Sequence, residues 1–164
     1  MSSEVQRQVE RIHASPVMAV LAVSGGGAKA LTWLLATPGA SRTVLEAVVP
    51  YSTASLADFL GHEPEGVATS DVAVGMARCA YERAKLLRRP GVQVVGIGCT
   101  AALVTDRHKK GVHRCFAAAW TEHGAVTYGL VFRKGLRDRE GEDDVVSTVV
   151  LRALAEASGL ELNV

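Results

Sequence analysis

The stretch Met18-Ala-Val-Leu-Ala-Val-Ser-Gly-Gly-Gly-Ala-Lys29 is an apolar run that halts at Ser24 and three glycines, followed by a helix-forming segment from Ala30 to Leu35. Its apolar part has the length and bounding residues of a strand buried on both faces. A strand that feeds a glycine turn and then a helix bares backbone N–H donors at the positive end of the helix dipole, where phosphates and other anions bind. Glycines also permit a tight turn with no ligand, because positive φ costs them nothing. Two phosphate-binding frames fail here. Gly25-Gly-Gly-Ala-Lys-Ala30 lacks G-x-x-x-x-G-K-[ST], and Ala30 stands where G-x-G-x-x-G needs its last glycine. The nucleophile frame G-x-S-x-G is absent as well.

Working outward, Val5, Val9 and Ile12 recur at helical spacing, which predicts an amphipathic N-terminal helix ending at His13-Ala-Ser-Pro16. Thr37-Pro38-Gly39 ends the helix after the glycines, and Ala40-Ser41 follows this turn. Thr43 to Val49 reads as a second strand. Ser52 or Thr53 then caps a helix through Leu60. The set Ala73, Met76, Ala77, Ala80, Ala84 and Leu87 traces one face of a helix over 71–89, and Pro90-Gly91 ends it. Val92 to Cys99 is almost wholly apolar, as a central strand would be, and it runs into Thr100-Ala-Ala. Segments 112–120 and 125–132 flank Thr121-Glu-His-Gly124 as a β-hairpin, and Val146 to Ala157 forms a last helix. This order predicts an α/β protein, a three-layer α/β/α sandwich around a mixed, mostly parallel sheet with one antiparallel hairpin, in a single domain spanning 1–164. In such sheets ligands gather outside the carboxyl ends of the parallel strands, where Ser24, the glycines and Thr100 would fall.

A chain of 164 residues, 48% hydrophobic and 21% charged, is expected to be globular with a substantial core. A formal charge of +1 gives no global attraction to nucleic acid, and Arg88-Arg89 and Arg107-His-Lys-Lys110 read as a helix terminus and a solvated loop. No membrane-spanning or signal segment is apparent. Cys79, Cys99 and Cys115 are odd in number and lie in apolar surroundings, so they read as buried free thiols of a soluble, cytoplasmic protein. His13, His62, His108, His113 and His123 are scattered without metal-ligand spacing, and neither a metal nor a cofactor is expected.

The order Ser24-Gly-Gly-Gly, Pro38-Gly-Ala-Ser41, Val48-Val-Pro-Tyr51-Ser52 and Phe59-Leu60-Gly61, continued by the strand into Thr100 and by Leu136-Arg-Asp-Arg-Glu140, resembles the C-terminal domain of the CinA family, the nicotinamide-nucleotide amidohydrolases. The matches are short and run from about Met18 onward. The resemblance implies hydrolysis of the carboxamide of nicotinamide mononucleotide, with Ser41 as nucleophile, Tyr51 assisting proton transfer and Thr100 orienting substrate. It also implies that Ser24, Gly25, Gly26, Gly27 and Arg139 hold the phosphate, and that the protein is a homodimer, for which the sequence itself carries no interface signature. A guanidinium suits phosphate recognition bidentately.

Two departures weaken that chemistry. The family pairs its tyrosine with a lysine five residues on, and here that residue is Leu56. A tyrosine with a pKa near 10 accepts protons poorly at neutral pH, and loss of a general base costs ~10²- to 10⁴-fold. Lys29, Lys109 and Lys110 are the candidates to supply the missing ammonium. The glycine-rich loop that follows the family's central strand is also absent after Thr100. On the residues alone, Ser41 is equally a turn residue, Tyr51 a strand-end aromatic and Arg139 a solvated charge before a helix. The chain is therefore read as an amidohydrolase of a pyridine nucleotide or, alternatively, as a non-catalytic nucleotide- or phosphate-binding module or an interaction domain.

Overall fold

Alternating apolar segments build five strands and five α-helices in the computed structural model, which describes residues 1–107 and 111–161. The helices are α1 (Ser3–Ala14), α2 (Ala28–Ala36), α3 (Thr53–Leu60), α4 (Ser70–Leu87) and α5 (Arg139–Ala157). The strands are β1 (Met18–Ser24), β2 (Val44–Val48), β3 (Val94–Ala102), β4 (His113–Thr121) and β5 (Gly124–Phe132), with a short 3₁₀ turn at Ala40–Arg42. The strands form one sheet in the order β2-β1-β3-β4-β5. β1 pairs in parallel with β2 and β3, and β4 and β5 add antiparallel pairs, so every strand but β4 points the same way. Among the described residues no helix is long and apolar enough to cross a membrane.

Side-chain alternation along the strands sorts the core into two faces. Ala19, Leu21 and Val23 of β1 and Val95, Ile97 and Cys99 of β3 bury against α1, α2 and α5 through Val9, Ile12, Leu34, Val150 and Leu154. On the other face Ala22 of β1 meets Leu56 of α3 with Val72 and Met76 of α4. Helices thus cover both sides of the sheet, the three-layer arrangement that the order of elements predicts.

The fit of α4 explains two glycines of β3. A Cβ at Gly96 would lie 2.2 Å from the Ala77 carbonyl oxygen, and one at Gly98 would lie 2.4 Å from that of Ala73. Only glycine on the strand, opposed by alanines on the helix, permits this close approach. The helix that the alanine stripe predicts is there because the stripe is the surface that touches β3.

Strand ends differ from the sequence reading where pairing prolongs them. β3 continues through Thr100 to Ala102, because Thr100, Ala101 and Ala102 lie opposite Phe116, Cys115 and Arg114 of β4. Thr100 is therefore an interior residue of its strand. Ser52 is the α3 N-cap, its hydroxyl accepting from the Ser55 N–H at 3.0 Å. Arg139 is the first residue of α5, whose N-cap is Asp138.

Candidate functional site

β1 ends at Ser24 and the chain turns through Gly25, Gly26 and Gly27 into α2. Gly25 and Gly27 have φ of +81° and +96°, a region that residues with a Cβ avoid. Space as well as backbone angle dictates the first glycine, since a Cβ at Gly25 would lie 2.1 Å from the Ala101 carbonyl oxygen of β3. One of the donors that this turn offers is met from within the chain. The Gly27 N–H at the N-terminus of α2 donates to Asp143 Oδ1 of α5 at 2.7 Å, and Asp143 Oδ2 accepts from the Ser147 hydroxyl at 3.4 Å. A carboxylate thus sits where an anion would bind and complements the helix dipole.

Arg139 braces the same turn. Its guanidinium donates at 3.1 Å to the Gly25 carbonyl and at 2.8 Å to the Val104 carbonyl, which joins the glycine turn to the segment after β3. Two of its five N–H donors are used in this way, and the residue is exposed. Lys29 pairs with Asp144 at 2.5 Å and Glu140 at 3.2 Å, and these partners hold its pKa above the ordinary lysine value. Lys109 and Lys110 lie outside the described residues.

Behind the turn stands a buried acid that the sequence reading passed over. Glu142 is fully buried, and its Oε1 accepts the Val104 N–H at 2.8 Å while Oε2 meets His113 Nδ1 at 3.1 Å. Together, Glu142, Asp143 and Arg139 anchor the start of α5 to the glycine turn, to the end of β3 and to β4. A charged triplet at a helix start looks solvated in sequence, so no pattern announces this role.

The turn borders a cleft of about 460 Å³ lined by Val23, Gly25, Gly26, Ala28, Lys29, Val49, Tyr51, Arg139, Glu140 and Asp143. Tyr51, just past β2, is 67% exposed, so its ring is open to a ligand. The fold therefore brings Gly25, Gly26, Tyr51 and Arg139 to one cleft at the carboxyl ends of β1 and β2. Ser24 borders it in sequence, but its side chain lies with Ala22 on the α3–α4 side of the sheet, where it is 2% exposed and neighbours Thr100 in the β1–β3 register. Thr100 donates to the Val67 carbonyl at 2.9 Å, so its hydroxyl is engaged in holding the loop before α4.

Ser41 is not brought to this place. It lies exposed on the 3₁₀ turn before β2, and Tyr51 lies after that strand. Five strand residues span about 13 Å, so these two side chains stand at opposite ends of β2. The neighbourhood of Ser41 is structural: Arg42 Nε donates to the His13 carbonyl at 3.0 Å, and the buried His13 ring bridges the Thr43 hydroxyl and the Leu34 carbonyl. Because a carbonyl only accepts, His13 Nε2 is the donor toward Leu34.

Leu56 is 1% exposed and packs on Ala22, Val72 and Met76. Ala22 and Ser24 share a side of β1. Residue 56 thus packs on the face of β1 that carries Ser24.

The architecture can now be set beside known structures. A competence-damaged protein (CinA) superfamily protein from Escherichia coli superposes with a TM-score of 0.72 at 18% identity, over 94% of this chain and 88% of its own. The fold is that of the CinA superfamily. The competence/damage inducible protein CihA from Agrobacterium tumefaciens matches with a TM-score of 0.70 at 18% identity over 97% of this chain and 96% of that one. A competence or damage-inducible protein from Enterobacter asburiae gives 0.69 at 17% identity, covering 94% of each chain. No family model and no curated protein matches the sequence. This chain shares their fold at 17–18% identity.

Proposed function

We propose that this CinA-fold domain binds a nucleotide-like small molecule in the cleft beside Tyr51 and does not hydrolyse it. The observation that carries the reading is Leu56. The position that the resemblance assigns to a proton-transferring lysine is occupied by hydrocarbon packed on Ala22, Val72 and Met76. A serine hydroxyl needs an adjacent base to attack a carboxamide. Ser24 has no lysine at residue 56, and Ser41 stands a strand length from Tyr51.

Binding is favoured by the cleft itself. Its volume of about 460 Å³ lies in the range of small-molecule sites. The exposed Tyr51 ring offers a face for a planar base, and Arg139 keeps N–H donors for a phosphate. The glycine turn contributes shape more than donors, because Asp143 already accepts from Gly27.

The test uses nicotinamide mononucleotide as probe. Titration is expected to shift the Gly25 and Gly26 amide resonances, with the response lost in Tyr51→Ala and weakened in Arg139→Gln, while ammonia release stays at the level of buffer. Ammonia release that falls in Ser24→Ala or Ser41→Ala refutes the non-hydrolytic reading. A titration without response refutes binding of this nucleotide.

A further inference from the structure

Arg107, Lys134 and Arg137 line a cleft of about 380 Å³ at the end of the sheet where β3 and β5 finish and β4 begins. Val104, just past β3, forms part of its wall, and His113, the first residue of β4, forms another part. Among the described residues no acid lines this cleft, whereas Glu140 and Asp143 line the one beside Tyr51. The two clefts share no lining residue. In a chain whose formal charges sum to +1, a cleft with three cations and no carboxylate is a local excess that favours an anion. Both guanidiniums are free to meet one. Among the described residues, Arg107 and Arg137 make no side-chain hydrogen bond and no ion pair. The nearby Asp138 carboxylate is engaged as the cap of α5, accepting the Gly141 N–H at 2.7 Å.

The imidazole of His113 adds a positioned donor. Its side chain is 9% exposed, and Nδ1 meets Glu142 Oε2 at 3.1 Å. Nε2 has no partner among the described residues, and no fully buried side-chain nitrogen there lacks one, so Nε2 reaches solvent by way of the cleft that the ring lines. Glu142 is itself fully buried, with the Val104 N–H and this ring as its partners. A buried carboxylate without a countercharge is the costly state. Two proton placements leave the pair neutral as a whole: an ionised Glu142 beside a doubly protonated ring, or a protonated Glu142 that donates to Nδ1. Both put a hydrogen on Nε2. Nε2 therefore donates into the cleft that the guanidiniums line.

We propose that this cleft binds a small organic dicarboxylate, at a site separate from the one beside Tyr51. A guanidinium offers a planar fork that one carboxylate fills bidentately, and two free forks call for two carboxylates. The volume of about 380 Å³ lies in the range of small-molecule sites and exceeds what one compact ion fills, which leaves room for a carbon frame against Val104. The His113 Nε2–H supplies one further hydrogen bond to a carboxylate oxygen. The Lys134 ammonium adds positive charge without imposing a geometry.

Glutarate serves as the probe, titrated at constant ionic strength and followed by amide and imidazole NMR. It is expected to shift the Gly135 amide and the His113 Nε2 frequency. Butyrate, with one carboxylate, and inorganic phosphate, a single compact ion, are each expected to bind at least about tenfold more weakly. Arg107→Gln and Arg137→Gln lie at exposed positions and should keep the wild-type far-UV circular dichroism spectrum. Each removes one fork and is expected to weaken glutarate by about tenfold, as the loss of a hydrogen bond to a charged group does. Arg137→Lys keeps the charge without the fork and is expected to fall between wild type and Arg137→Gln. Saturating nicotinamide mononucleotide is expected to leave the glutarate affinity unchanged, because the clefts are separate. No response to glutarate, an equal response to butyrate, a His113 Nε2 frequency that does not move, wild-type affinity in both glutamine variants, or displacement by the nucleotide overturns the proposal.

Discussion

Removing the Asp143 carboxylate should loosen the glycine turn and at the same time open it to anions. Asp143→Ala deletes a 2.7 Å hydrogen bond from the Gly27 N–H to a charged acceptor and a weaker one from Ser147 at 3.4 Å. A hydrogen bond to a charged group contributes about 1.5–3 kcal/mol, and the long serine bond adds little. A loss of roughly 2 kcal/mol corresponds to a fall in Tm of ~4–8 °C for a chain of this size. Asp143→Asn keeps an oxygen acceptor and loses only the charge, so about half that fall is expected. The informative arm repeats the melts in inorganic phosphate against chloride of matched ionic strength. Wild-type Tm should not respond, since the Gly27 N–H is already engaged. Asp143→Ala should gain stability as phosphate rises, following the logarithm of ligand concentration over Kd. Differential scanning fluorimetry reads both arms. A variant that melts within 1 °C of wild type, or a wild type that phosphate stabilises as much as the variant, refutes the argument that Asp143 occupies the anion position.

Gly25→Ala should destabilise the fold well beyond an ordinary surface substitution, by more than about 3 kcal/mol. Its Cβ would lie 2.1 Å from a backbone oxygen at a φ of +81°, so denaturant titration should show a lower midpoint, whereas Gly61→Ala, with open space around the Cβ, should cost less. The buried thiols set an alkaline limit. Burial pushes Cys115 from the usual 9.0 up to about 11, and it pushes Cys99 well up in the same direction. Between pH 9 and 11 the unfolded chain therefore binds fewer protons than the native one, and stability should fall with rising pH over that window. Denaturant midpoints measured from pH 8 to 11 test this, and Cys99→Ser/Cys115→Ser should flatten the slope. An equally steep decline in the double variant would assign the effect elsewhere.

How far the site could be read in advance varies from residue to residue, for physical reasons. The glycine turn was legible because a buried strand, positive φ and a following helix leave a composition that few other structures need. Tyr51 and Arg139 reach the same cleft, a meeting of distant segments that their separate places in the sequence do not show. The placing of Ser41 was not legible: a turn residue carries no mark of which end of the sheet it occupies, and only the parallel pairing of β2 with β1 settles that. Nor did the sequence reveal that Asp143 fills the turn, since the residues in that contact are separated by more than a hundred positions of chain.

By itself the sequence determined the elements and their layering. Apolar runs of strand length, helical stripes and Gly–Pro stops act over a few residues, and the alanines of α4 already match the glycines of β3. The tertiary structure decided what the polar groups do. Their energies depend on partners brought together from distant segments, so Asp143, one of a run of charges in the sequence, is the acceptor of the Gly27 N–H in the fold. The same holds for Leu56, whose hydrocarbon character was plain in the sequence, while its position on the Ser24 side of β1 emerged only when α3 packed against the sheet.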